Sequence, residues 1–254
     1  MKIVVAIKQV PARDSNVRVA ADAKWIDTRD LSFEINEPDA YALESGLLLK
    51  ERQGGEVVAV CAGPSRCLPA IREALAKGAD RAIHVECDYL ESLDTLGVAR
   101  LLADAIRQEN ADLILTGLQS DDLGLGQTGV VLAEILDIPH GTIIMDVEVH
   151  GSSLRVKREL EDGWFQWVEM PMPALLTIQS GISKLRYATL MGIKKARTKE
   201  VRTVPATVST GGGSVSLDRV YAPQRTKQTR LVEGTPAQAA AELVEILRSE
   251  VRVL

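Results

Sequence analysis

Between residues 3 and 116 the chain repeats one alternation: a short, almost uninterrupted β-branched apolar run, then a longer stretch whose apolar residues recur at helical spacing. The runs are 3–7, 57–61, 81–85 and 113–116. The amphipathic stretches are 38–52, 64–77 and 95–108, the second with Leu68, Ile71 and Leu75 on one face. A strand that is apolar at every position has both faces buried, and such strands joined by helices form a parallel sheet with helices on either side. This predicts an α/β fold: a three-layer, Rossmann-like parallel sheet with crossover helices. Gly78, directly after Lys77, suits a left-handed helix cap with the lysine at the negative end of the helix dipole.

Beyond Pro139 the apolar period shortens to about two residues, which predicts strands over 142–149, 154–159, 164–169 and 174–179 with turns at 150–152 and 162–163. These are expected to form an antiparallel addition to the parallel sheet. From Ser180 a basic segment with Lys184, Arg186, Lys194, Lys195, Arg197 and Lys199 leads into a Thr/Val/Ser stretch broken by Gly211, Gly212 and Gly213, read as an extended arm. The chain ends in a predicted helix from 236 to 248, with Thr235 as N-cap, Pro236 at its first position and an apolar stripe of Ala239, Leu243, Ile246 and Leu247. That stripe requires a surface to cover it, either the protein's own or a partner's, and a partner subunit is the expectation. The expected organisation is an α/β body over 1–183, a short basic loop and helix over 184–198, and an extended C-terminal arm with its terminal helix over 199–254.

Charge and composition remove several classes of function. Lys+Arg 30 against Asp+Glu 35 gives a net charge of −5, so the chain as a whole has no electrostatic grip on nucleic acid. Aromatic residues make up 4%, too few for a base-stacking platform. The apolar runs fall far short of the roughly twenty residues of a membrane span. Cys61, Cys67 and Cys87 form no CxxC pair and, with His84, His140 and His150 scattered singly, make no zinc or iron–sulfur pattern; they are expected to be buried thiols. The chain opens on MKIVVAIKQV without the long apolar region and cleavage site of a signal peptide, which predicts a cytoplasmic or organelle-matrix location.

The segment Gly117-Leu118-Gln119-Ser120-Asp121-Asp122-Leu123-Gly124-Leu125-Gly126-Gln127-Thr128 follows a buried strand and precedes the helical run 130–136. It lies at the carboxyl end of a predicted parallel strand. There a glycine-rich turn lets backbone approach a ligand, and the amides of the next helix favour an anion such as phosphate. Gln127 and Thr128 offer side-chain donors. A capped turn without a ligand is the competing reading, because glycine spacing alone is weak evidence. Neither a Walker sequence nor a GxGxxG after the first strand is present, and no nucleophile with a base is evident, so the expectation is nucleotide binding without catalysis. Asp121 and Asp122 read most simply as a solvated loop. Other predicted strand ends converge on the same place: Ala6, the helix start Asn36-Glu37-Pro38-Asp39, and Ala62. Asn36 is equally readable as a helix cap.

The residues Val156-Lys157-Arg158-Glu159-Leu160-Glu161-Asp162-Gly163, then Gln166, Val168 and Pro173-Ala174-Leu175-Leu176-Thr177, resemble the β subunits of electron transfer flavoproteins in type and spacing. The opening Val5-Ala6-Ile7-Lys8-Gln9-Val10, the Gly126-Gln127-Thr128-Gly129 run and Arg186-Tyr187-Ala188-Thr189-Leu190 support the resemblance, which spans nearly the whole chain; the tail is similar to that of bacterial members. It implies a heterodimer with an α subunit that carries most of the FAD, and AMP held structurally in this chain by Ala6, Asn36 to Asp39, Ala62 and Gly117 to Thr128. It also implies docking of a dehydrogenase at the 184–196 loop, with Leu190 as apolar anchor beside Tyr187 and Met191 and a rim of Lys184, Arg186, Lys194 and Lys195. Electrons would pass on to a quinone oxidoreductase or another acceptor. Two departures bear on the nucleotide: Leu118 and Gly126 stand where relatives often carry a basic and an amide or small side chain, so phosphate would rely more on backbone amides. Arg13 stands near the place from which some relatives bring an aromatic residue to the flavin; a charge there would favour the anionic reduced flavin. A bifurcating branch of the family holds a second FAD in place of AMP, and a stand-alone adenine-nucleotide protein of the stress type would share the sheet.

Overall fold

The computed structural model describes residues 1–207, 215–223 and 229–253. Its strands are β1 (Lys2–Ala6), β2 (Gln9–Pro11), β3 (Phe33–Ile35), β4 (Glu56–Gly63), β5 (Arg81–Glu86), β6 (Leu113–Gly117), β7 (His140–His150), β8 (Ser153–Glu159), β9 (Phe165–Pro171), β10 (Ala174–Ile178) and β11 (Val201–Pro205). The α-helices are α1 (Glu37–Gln53), α2 (Leu68–Lys77), α3 (Thr95–Arg107), α4 (Thr128–Leu136), α5 (Leu190–Ala196) and α6 (Pro236–Ile246). Nine strands form one sheet in the order β11-β5-β4-β1-β6-β10-β7-β8-β9, and β2 and β3 form a small separate ribbon. The described residues fall into two compact units, Met1–Val220 and Tyr221–Leu254.

Alternate residues of the central strands enter two different cores, which is why those strands read as unbroken apolar runs. Ile3, Val5, Val57, Ala59, Leu113, Leu115 and Leu176 join the α1 and α2 side chains Leu43, Leu47, Ile71 and Leu75 on one face. Val4, Val58, Val60, Ile83, Ile114 and Leu175 join Leu101, Leu102, Ile106 and Leu132 of α3 and α4 on the other. The three-layer α/β expectation is met.

Three local readings are corrected. Residues 174–178 do not belong to the antiparallel addition: β10 runs parallel to β6 and to β7, with Leu176 opposite Leu115 and Ile178 opposite Gly117. All five of its residues are buried, and full burial on both faces is the mark of an interior parallel strand. Within the nine-stranded sheet the antiparallel pairings are those of β8 with β7 and with β9. Second, Val201–Pro205 is no loose arm but the parallel edge strand beside β5, pinned by Arg202 to Glu109 at 2.8 Å. Third, the α2 stretch opens as a 3-10 turn over Ser65–Cys67, and α-helix begins only at Leu68. The glycines 211–213 lie outside the described residues. Taken by itself, the second unit contains α6, whose start has the predicted cap: the Thr235 hydroxyl accepts from Gln238 N, Gln238 reaches back to Thr235 N, and Pro236 sits in the first turn.

Helix α5 is stapled to α2. Arg72 donates to the carbonyls of Ala196 (2.7 Å) and Lys199 (3.0 Å), and the Lys199 ammonium donates to those of Leu75 and Ala79 at the α2 terminus. Gly192 is the point of closest approach: a Cβ there would overlap the carbonyl oxygen of Ala76. Gly192→Ala is therefore expected to push α5 off α2 and to lower stability by about 1–3 kcal/mol, as overpacking does. A thermal melt checks it, and a melting temperature equal to that of the parent chain counts against the packing described.

Candidate functional site

From β1 the chain winds outward through β4 and β5, then crosses back to β6 on the other side of β1. The carboxyl ends of β1 and β6 thus flank a topological switch point, the place where open α/β sheets bind ligands. Asp39, in the first turn of α1, fills its floor. One carboxylate oxygen accepts the backbone N–H of Lys8 just past β1 at 2.7 Å, and the other accepts that of Gly117 at the end of β6 at 2.9 Å. Pro38 and Asp39 are buried, and a Cβ on Gly117 would lie 2.7 Å from the Asp39 nitrogen, so only glycine fits. Burial pushes the Asp39 carboxyl up to about 7, against the bonds from Lys8, Gly117 and Asn36 and the Lys8 charge, which pull it down.

Asn36 is the residue before α1, yet its side chain makes no cap hydrogen bond. Its amide nitrogen donates to the carbonyl of Gln119 at 2.9 Å, and its amide oxygen accepts from the Asp121 N–H at 2.9 Å. The cap reading is thereby replaced by a cross-link between the α1 start and the glycine-rich loop. Asp121 and Asp122 are likewise more than a solvated pair. The Asp121 carboxylate accepts from Glu37 N at 3.4 Å and faces Arg13 at 3.8 Å, while Asp122 binds the Lys8 ammonium at 2.6 Å. Leu118 N donates to the Ile178 carbonyl at 2.9 Å, fixing the loop to β10 as well.

The loop therefore has two halves. Residues 118–122 are tied down over the switch point. Beyond them Leu123 and Leu125 are exposed, and Gly124 and Gly126 have φ of 63° and 64°, a left-handed backbone that glycine adopts without strain. Gln127 makes no side-chain cap bond at the start of α4, so the first amides of that helix are left without a side-chain acceptor. Gly129 sets the α4 start against the strand ends, since a Cβ there would lie 2.6 Å from Thr177 and 2.7 Å from Thr116. Ala6 and Ala62, at the ends of β1 and β4, are buried in the α3/α4 core.

Sequence reasoning missed Lys8. It stands two residues past Ala6 and more than a hundred before Asp122, and only the sheet brings the two together. Arg13, expected near the flavin, is paired with Glu37 and faces Asp121.

On the other surface the 184–196 loop displays its expected apolar residues: Tyr187, Leu190 and Met191 are 92%, 88% and 62% exposed. The alternative in which Leu190 packs on its own body does not hold. Thr189 caps α5 through Gly192 N at 3.0 Å, so Leu190 projects from the first turn of a fixed helix. Arg186, expected in a steering rim, is instead bound to the buried Glu44 at 2.9 Å and to Glu51 at 2.7 Å. Lys184, Lys194 and Lys195 are exposed.

Cys61, Cys67 and Cys87 are buried free thiols. Among the described residues no group of three or more His, Cys, Asp or Glu is placed to hold a metal, and no helix is long and apolar enough to cross a membrane.

The model of the electron transfer flavoprotein domain matches residues 24–209. Among curated proteins, the electron transfer flavoprotein subunit beta of Methylophilus methylotrophus is 37% identical, covering 97% of this chain and 98% of its own. The human subunit beta is 38% identical over 80% of this chain and 81% of its own. The mitochondrial subunit beta of Oryza sativa is 35% identical over the full length of both, so a tail of this length is not confined to bacterial relatives. With a family match over most of its length and β subunits aligning end to end, the chain belongs to the electron transfer flavoprotein family, on the β-subunit side.

Proposed function

We propose that this chain is the structural and docking half of a heterodimeric electron carrier: it holds one AMP at the switch point, buttresses an α subunit that carries the FAD, and presents Leu190 to a dehydrogenase. The flavin supplies the redox chemistry, and this chain binds and positions. The observation that carries the reading is the tethered glycine-rich loop, which puts uncapped amides at the start of α4 beside the crevice between β1 and β6. Amides of that kind suit a phosphate, and the small side chains at Ala6 and Ala62 leave room at the strand ends for adenosine. Leu190, Tyr187 and Met191 on a fixed helix, with Lys184, Lys194 and Lys195 nearby, suit an apolar anchor with a cationic steering rim.

Coexpression with the α subunit, followed by denaturation and chromatography of the released nucleotides, tests the reading. One FAD and one AMP per heterodimer is expected. Two FAD per heterodimer selects the bifurcating type, and ATP turnover by the chain alone selects a stress-type nucleotide protein. Leu190→Ala should raise the KM of the partner dehydrogenase for the carrier by about tenfold, the loss of one central anchor, with kcat held.

A further inference from the structure

The glycine-rich loop is anionic. Residues 118–128 contain Asp121 and Asp122 and neither Lys nor Arg. A nucleotide monophosphate brings a further charge of about −1.5 to −2 at neutral pH. Backbone amides offer partial charge only, so a full cation within reach would strengthen the hold on the phosphate. Ion pairs bring Lys8 and Arg13 to the loop. Arg13 is already held by Glu37 and faces Asp121, and it is largely exposed. Lys8 differs: its backbone N–H is locked to Asp39, which fixes the root of the side chain at the mouth of the crevice, while its ammonium lies against Ser120 Oγ at 3.4 Å and Asp122 at 2.6 Å.

We infer that Lys8 is the residue that reads the phosphate of the nucleotide, and that Asp122 is its internal competitor, holding the ammonium at the loop until the phosphate takes it. This rests on the proposed AMP site and adds to it a specificity-determining side chain. A lysine is suited to the exchange because its ammonium is a point charge on a flexible stem and needs no fixed fork geometry. Only the ammonium has to move, since the stem begins at a pinned peptide.

The test compares AMP with adenosine. The full-length chain with its coexpressed α subunit, freed of copurified nucleotide by exhaustive dialysis, is titrated calorimetrically with each. Lys8→Gln should weaken AMP by about tenfold or more, the loss of one charge-assisted bond, and leave adenosine unchanged. Lys8→Arg should restore most of the affinity for AMP. Asp122→Asn should tighten AMP about threefold, again without effect on adenosine. Unchanged adenosine affinity also certifies that each variant is folded. Equal weakening of AMP and adenosine in Lys8→Gln would make Lys8 a latch for the loop and overturn the assignment, as would no change with either ligand. If the parent complex binds neither, the AMP reading itself fails and takes this one with it.

Discussion

Truncating Asp39 to alanine should lower the melting temperature by roughly 5 to 15 °C. Its carboxylate is the acceptor for two peptide N–H groups, those of Lys8 and Gly117, and these lie at the ends of neighbouring strands. Each donor left unsatisfied in a buried place costs about 1–3 kcal/mol, and in a chain of this size each kcal/mol is worth about 2–4 °C. Asp39→Asn keeps the shape but turns one acceptor into a donor facing an N–H, so it should fall between the parent and alanine. The comparison also has a pH signature. Burial raises the folded carboxyl to about 7, whereas an unfolded aspartate titrates near about 4. Across that window the folded chain holds a proton that the unfolded chain has released. Parent stability measured against Asp39→Asn should therefore decline as pH rises from about 4 to about 7 and level off above. Glu51 and Glu109, whose pKa values are lowered by Arg186 and Arg81 respectively, act in the opposite direction in both proteins and cancel in the difference. Urea melts at several pH values measure it, and parallel profiles would show that Asp39 does not titrate as described.

The second large effect is expected at the root of the 184–196 loop. Glu44 has a side chain only 5% exposed, and Arg186 is its ion-pair partner, closing on both carboxylate oxygens and adding its own backbone N–H. Removing one partner of a buried pair leaves the other charge uncompensated, at a cost of about 3–5 kcal/mol; the partial exposure of Arg186 brings the expected loss for Arg186→Ala to about 2–3 kcal/mol. The contact with Glu51, which is more than half exposed, contributes little, so Glu51→Gln should cost under about 1 kcal/mol. In Arg186→Ala, α5, held separately by Arg72 and Lys199, should keep its amide hydrogen-exchange protection. Equal melting temperatures for Arg186→Ala and Glu51→Gln would remove the clamp from this account. If Leu190 is the proposed anchor, ordering it beforehand favours binding, which is how this charge pair would bear on the proposed docking.

The alternation of fully apolar runs with amphipathic stretches determined the layers, because a strand buried on both faces has no position left for a polar residue. Local residues determined the helix start at 236, where Thr235 and Pro236 act within one turn, whereas the exposure of Leu190 was an expectation of the family resemblance that the structure decided against packing on its own body. What period could not decide was partnership. Residues 174–178 and 142–149 are both strand-like, but only the sheet places β10 between β6 and β7, since strand order depends on crossovers and not on local pattern. The same holds for β11, a short edge strand with modest burial whose partner β5 lies more than a hundred residues earlier. At the site, the loop and the α1 start were legible as strand ends rich in small and capping residues. The roles of their side chains were not: Asn36 had an adequate local use as a cap, and Asp122 an adequate one in water. Tertiary structure reassigned both, and recruited Lys8, because hydrogen-bonding groups satisfy the partners that folding brings within reach, and those partners lie about eighty to more than a hundred residues away in the chain.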